Sequence, residues 1–589
     1  MLLLYHGAQS VLALDIYSPV KPTLYFWDPL EGSVNQHWRM LDGIVWPKEW
    51  FQQQLHPPVS FQQLEAAVTR LPYSRPTQHN QLARVARGEH ARQTTIARMA
   101  SDTMPFMHQR TQSLLCDFML LKWRAGSLVE QRFYNESMQP TGWWEDPDKP
   151  NAIPSDAELA RLCKVYAPEG TYAGKLITRM LSKRPLAFLD ADDQFALATG
   201  ERGVGKDLFP RIGTSSERAP LVLKDYLSYD EMEVAALLGV AVPTFLINDG
   251  ARGNRAMPGG PGTFEPEAVI IDQVGCRFER AGLMDWRHMV VTPEQNTPAN
   301  GYGSPSHPSF RRNGMLDLFA SLYLGTDQSV ESPLMSIAPT FPSYNEAVQA
   351  QRRDASWWVH ADVGTSIPDG ALLNVQVFRA RYLLQAEAFL LECSRRGINR
   401  GAGAYCSVAE AFATEPWWLV AKAQALWLMQ AFREALPRLA KSCNRWARGL
   451  EGIRVIDFPK YDRDYFEQVF GVAGEATICV QTSDWDERKC THKVSVRNSR
   501  SREPGSRLTG SDAGLLLVHQ FAGDGNAYPG NEYWLGGLAS SGDPAAACCS
   551  LIPWLQNPDV NPNGLNGSLQ TSVWPTPGYC NSPAWPFTP

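Results

Sequence analysis

A chain of 589 residues that is 44% hydrophobic and 20% charged can bury more than one core and is too apolar to be disordered as a whole. A formal charge of −6 argues against nucleic acid as the main partner, although a local basic patch stays open. No run approaches the roughly 18 apolar residues of a membrane span, and Met1–His6 lacks the basic start of a signal peptide. A cytoplasmic protein with no membrane partner is therefore expected, with export by a signal-less route left open.

The first 45 residues are mixed and strand-like. From Ser60 to Arg132 the periodicity turns helical, with amphipathic spacing at Phe61–Val68 and again over Ser113–Trp123. Gln139–Pro150 is rich in Pro, Asp and Gly and reads as a linker, which places a boundary near 135–155. Ser155 and Glu158 form a capping box for a helix reaching about Tyr166. Further on, strand-like and helix-like segments alternate. Ser228 to Glu231 caps a helix through Leu238. Buried strands are expected at Val242–Asn248 and Ala268–Val274, long helices near Leu373–Arg395 and Trp418–Leu439, and strands at Ile453–Phe458 and Leu515–Gln520. This alternation predicts a layered α/β domain. The expected division is a mostly helical part over 1–150, a connection over 151–184, the α/β domain over 185–565 and an irregular tail over 566–589.

Among the 11 Cys there is no CxxC pair or Cys/His cluster with zinc spacing, so no metal site is expected and the thiols read as reduced and buried. The richest chemistry lies near the C-terminus. The strand around Val518 stops at Gly523-Asp524-Gly525, and a loop with Asn526, Asn531 and Glu532 runs on to Trp534. Ser541-Gly542-Asp543-Pro544 then opens a helix. Open α/β sheets build ligand clefts from such strand, loop and helix successions. Asp524, Glu532 and Asp543 are the candidate catalytic acids. Carboxylates around an anomeric carbon can orient water, steady an oxocarbenium-like transition state or act as acid. The plain alternative is that Asp543 caps its helix and Asp524 and Asn526 bond their own turn.

Three further segments are candidate ligand contacts. Asn248, Gly250 and Asn254 lie in a Gly-rich loop that would let backbone approach a phosphate or ribose, unless it is a simple surface loop. Arg277 and Glu279 alternate after a strand, as cleft residues or as a surface ion pair. Gly301 and Tyr302 could offer a ring for stacking on adenine, or form a turn. Two look-alikes are rejected. Gly200–Asp207 resembles a phosphate-binding loop but ends in Asp207 where Ser or Thr is needed, and Leu189–Asp193 is a short acidic string. The basic run Arg488–Arg507 reads as a solvated loop.

In order, Val242 to Asn254, Val274 to Glu279, Gln295 to Gly303, Gly523 to Trp534 and Gly542 to Ala547 together resemble the macrodomain-like ADP-ribosylhydrolase family whose characterised member is the Legionella effector MavL, which acts on ADP-ribosylated ubiquitin. The resemblance covers roughly 185–565. It implies a three-layer α/β/α macrodomain-like core, with ADP-ribose as ligand or product, no cofactor and an ADP-ribosylated protein as partner. It places catalytic acids at Asp524, Glu532 and Asp543. It brings Gly523, Asn526, Asn531 and Trp534 into the ligand site beside the candidates above. Three departures stand out: Glu532 is one methylene longer than the acid of the effector, the spacing to Asp543 differs by one residue, and Val408–Glu415 is degenerate where a Gly-rich stretch is expected. The alternatives to a hydrolase are a non-catalytic ADP-ribose reader and a nucleotide-sugar or carbohydrate-active enzyme.

Overall fold

Runs such as Ala268-Val269-Ile270-Ile271 have no polar side, which suits strands covered on both faces. They form the centre of the molecule in a computed structural model. It describes 59–73, 88–137, strand Ser572–Trp574, the backbone of four short strands between Leu3 and Met40, and 172–565. Within 172–565 the stretches 190–191, 255–256, 279, 326–338, 362–366, 410–419, 421–422, 443–448, 483–489, 525–526, 529 and 536–549 lie outside the described residues. The expected linker over 139–150 and the helix from Ser155 also fall outside them.

Nine strands build the central sheet. They are β1 (Met104–His108), β2 (Gly239–Phe245), β3 (Glu267–Val274), β4 (Ala404–Val408), β5 (Ile453–Asp457), β6 (Glu475–Thr482), β7 (Cys490–Arg497), β8 (Leu516–Gly523) and β9 (Ser572–Trp574). Their order is β6-β7-β5-β4-β8-β3-β2-β1-β9. All run one way except β6 and β2, which are antiparallel to their neighbours. The fold is thus mixed α/β around a mostly parallel sheet. Four short strands near the N-terminus form a separate antiparallel sheet, matching the strand-like reading of that region.

β1 changes the expected division of the chain. It interrupts the helical-looking stretch after Ser60 and pairs with β2 and β9. The segment read as a helical N-terminal part therefore contributes to the same sheet as residues beyond 185. Helix α1 (Gln109–Ala125) follows it, with His108 as N-cap, and α2 (Tyr172–Ser182) packs against α1. The basic run departs from expectation too. Its first half is β7, and Arg497 pairs with Glu475 and Asp512.

The long helix α3 (Val375–Arg400) lies along the sheet, capped by Asn374 and ended by Gly401 in the left-handed region. Helix α4 (Ala423–Ser442) covers it from outside. Being covered on both sides explains why α3 buries Phe378, Leu383, Phe389 and Leu391 around its circumference. Cys276, Cys393 and Cys406 are free and buried, as expected, whereas Cys479 is disulfide-bonded. Among the described residues no helix is long and apolar enough to cross a membrane.

Candidate active site

The strand order reverses direction at β8. The chain enters the sheet through β1, β2 and β3, crosses to β4, moves outward to β5, and then adds β6 at the edge with β7 between β6 and β5. Strand β8 then returns to fill the gap between β4 and β3. Such a switch point leaves a crevice beyond the carboxyl ends of the strands, where open α/β sheets bind ligands. Gly523, at the end of β8, is in register with Val274 at the end of β3. Asp524 and the segment after Val274 therefore flank this crevice.

Asp524 and Arg277 meet there. Arg277 Nη1 lies 3.1 Å from Asp524 Oδ1, with side chains 7% and 13% exposed. Asn531 Nδ2 donates to Asp524 Oδ2 at 3.3 Å. The carboxylate is thus fixed in orientation and still reaches solvent. A guanidinium and an amide on the two oxygens are contacts that aim the carboxylate.

Both partners are braced from behind. Asp285 Oδ2 accepts the backbone N–H of Arg277 at 2.9 Å, and Asp285 Oδ1 accepts from Arg381 Nε at 2.8 Å. Arg381 is fully buried on α3 and donates to the carbonyls of Val274 and Gly275. Tyr382 Oη accepts the N–H of Cys276, and Gln385 Nε2 donates to the Val274 carbonyl. One face of α3 therefore sets the path of 274–277. On the other side, the Tyr528 N–H donates to the Pro185 carbonyl, and Tyr528 Oη donates to that of Ser182. Gly530 turns with φ 72° against Pro553. Asn531 opens the short helix Asn531–Leu535, and Trp534 is buried edge-on to Tyr73, Tyr533 and Trp554.

Beneath Asp524 lies Asp272 on β3. A Cβ on Gly523 would overlap its carboxylate, so glycine is required there. Burial pushes the Asp272 carboxyl up to about 6, and Asp524 adds to the rise. Arg184 and the hydrogen bond from Gln556 Nε2 oppose it.

The other candidates separate by position. Because β2 runs antiparallel, the loop after it emerges at the opposite edge of the sheet from Asp524. There Asn248 Oδ1 accepts the Gly250 N–H, its Nδ2 donates to Met257 O, and Asn254 Nδ2 donates to Asp249 Oδ1 at 2.6 Å. These residues build their own loop and do not share the crevice. Tyr302 is buried, with its hydroxyl donating to the Arg287 carbonyl after the turn at Gly301, so its ring is core and not a stacking platform. Trp534 likewise packs in the core. Glu279, Asn526, Asp543 and the Glu532 side chain lie outside the described residues, although the Glu532 backbone is in Asn531–Leu535. The Gly200–Asp207 stretch is half hairpin, since Arg202–Val204 pairs with Gln194–Ala196, which agrees with its rejection. Among the described residues no group of three His, Cys, Asp or Glu could hold a metal.

Sequence reasoning missed Asp272, Asp285 and Arg381. Asp272 did carry a signal, as an acid inside an otherwise apolar buried strand, since carboxylates are rarely buried without a role.

Residues 171–573 match the family model for ADP-ribosylhydrolase MavL-like proteins. The chain belongs to the MavL-like ADP-ribosylhydrolase family. It is 31% identical over 400 residues to ADP-ribosylarginine hydrolase CG3568 of Drosophila melanogaster, covering 67% of this chain and 69% of that protein. It is 27% identical over 488 residues to ADP-ribosylarginine hydrolase CG2909 of the same species, covering 82% and 81%. The second alignment covers more of the chain than the residues from 171 onward can supply, so the likeness to that fly protein extends upstream of the family match.

Proposed function

We propose that the chain binds ADP-ribose in a macrodomain-like core and hydrolyses the bond between ADP-ribose and an arginine side chain of a modified protein. The observation that carries this reading is the meeting of Asp524, Arg277 and Asn531 at the switch point of the sheet. The substrate class follows the names of the two fly relatives. In the reaction, water oxygen joins the ribose carbon that carries the guanidinium nitrogen. The C–N bond breaks, the nitrogen takes a proton, and free ADP-ribose and unmodified arginine result.

Asp524 orients the water or the ribose hydroxyls, with its charge held by Arg277 and Asn531. Glu532 follows Asn531 in the short helix after the Asp524 loop and supplies a second acid. Asp543, where the sequence pattern opens a helix, faces the ribose in this scheme, because a phosphate there would meet its negative charge. Arg277 offers the pyrophosphate a cation.

The test is release of labelled ADP-ribose from an arginine-ADP-ribosylated protein, together with calorimetric binding of ADP-ribose. Asp524→Ala is expected to lower turnover by about 10²–10⁴-fold with the fold intact, the range for loss of a positioned acid or base. Unchanged release in that variant would overturn the site. Binding without release by the native chain would make it a reader.

A further inference from the structure

Asp272 has features that its place in a strand does not explain. It is 6% exposed, and its Oδ1 has no hydrogen-bond partner among the described residues. Its Oδ2 accepts from Gln556 Nε2 at 2.6 Å. It lines a small cavity of about 10 Å³ with Arg184, Gln556, Val240 and Val274, room for about one water. Its carboxylate lies against Gly523, the residue before Asp524, so close that no side chain fits there.

We propose that Asp272 is a positioning residue for hydrolysis: its ionised carboxylate holds the Gly523–Asp524 strand end in place, and its protonation releases that end. This rests on the reading of Asp524 as the reacting-site carboxylate. Ionised, Asp272 attracts the Arg184 guanidinium across the cavity and accepts from Gln556. It thereby ties β3, the segment after α2 and the segment around Gln556 together around Gly523. A proton removes the attraction to Arg184 and turns an acceptor oxygen into a donor. The charged groups facing Asp272 are Arg184, from the segment after α2, and Asp524, from the loop after β8. Gln556 and Gly523 bring no charge. Burial places the change in charge at about pH 6, with the ionised form present above it.

The experiment is kcat and KM from pH 5 to 8 for the full chain and for Asp272→Asn, Gln556→Leu and Asp524→Ala. For the native chain kcat is expected to fall about tenfold per unit below roughly pH 6. In Asp272→Asn kcat stays low and flat with pH while KM moves by less than about twofold, because Asn mimics the protonated acid. A merely structural role would lower activity without flattening the profile. Gln556→Leu removes a donor that favours the carboxylate, so its acid limb moves to higher pH. If Asp272→Asn does not fold, this second variant decides alone. A native kcat that is flat across pH 6, or a limb unmoved in both variants, overturns the proposal. Activity surviving in Asp524→Ala overturns instead the site reading on which it rests.

Discussion

Single residues in this protein carry charge states set by burial. His519 on β8 is 2% exposed, and its Nδ1 lies 3.1 Å from Ser407 Oγ. Burial, helped by Arg502 and Lys460, pushes its pKa down to about 3. The imidazole is therefore neutral in the fold, whereas in the unfolded chain it gains a proton below about pH 6.5. Stability from this group is complete above that value and is lost as pH falls from about 6.5 towards 3, at up to about 1.4 kcal/mol per unit. Asp272 acts in the opposite sense, because its raised pKa favours the fold on the acid side of about 6. His519→Gln should accordingly flatten the acid slope of stability, read as the urea midpoint of native and variant proteins between pH 7 and 4. An unchanged slope would mean that His519 is not held neutral. None of this was legible from the sequence. A histidine in Leu516-Leu517-Val518-His519 looks the same whether it faces a core serine or a cleft, and only the pairing of β8 with β4 decides it.

At the scale of elements, the sequence showed the strands themselves well and their neighbours poorly. Ala268–Val274 and Leu515–Gln520 were readable because apolar runs with β-branched residues suit buried strands. Ser228 and Glu231 marked a helix start that the structure closes as a true capping box. That β3 and β8 lie side by side, some 250 residues apart, was not readable, yet this alone brings Arg277 to Asp524. The reverse holds for Asn248: its strand was readable, but its antiparallel direction, which sends the loop to the far edge, was not. The pairing of β3 with β8 makes its own prediction at Gly523. Gly523→Ala forces its methyl onto Asp272, and overpacking of this kind costs about 1–3 kcal/mol or more. Adding Asp272→Ala removes the obstacle, so the double variant should be more stable than the sum of the single changes allows. Thermal unfolding of the four proteins measures that coupling, and strict additivity would show that the two side chains do not meet.

The whole molecule depends on a strand outside the family match. Residues 171–573 include β2 and all but the last residue of β9, but β1, which lies between them in the sheet, is Met104–His108. All five β1 residues are buried, and Phe106 lies over Gly239, where a Cβ would overlap its ring. At the end of β1, His108 Nε2 is 2.9 Å from Glu387 on α3, and Glu387 also pairs with Arg438 on α4. The residues around β1 bury Phe61, Leu64, Val68, Ile96, Met99, Leu114, Leu115, Phe118 and Met119 in the same core. Each such side chain contributes about 1.5–3 kcal/mol when buried. A domain is usually stable by only roughly 5–15 kcal/mol, so losing this apolar cover is large on that scale. Removal would also bare the edge of β2 in the middle of the sheet, an invitation to aggregation. A fragment of residues 171–573 is therefore expected to lack a cooperative thermal transition and to lose the ADP-ribose binding proposed for the full chain, although it holds Arg277, Asp524 and Asn531. Near-ultraviolet circular dichroism and calorimetry on the fragment beside the full chain check this. A fragment that unfolds cooperatively and binds like the full chain would show that β1 is dispensable. The site would then be supported from β3, β8 and α3 alone.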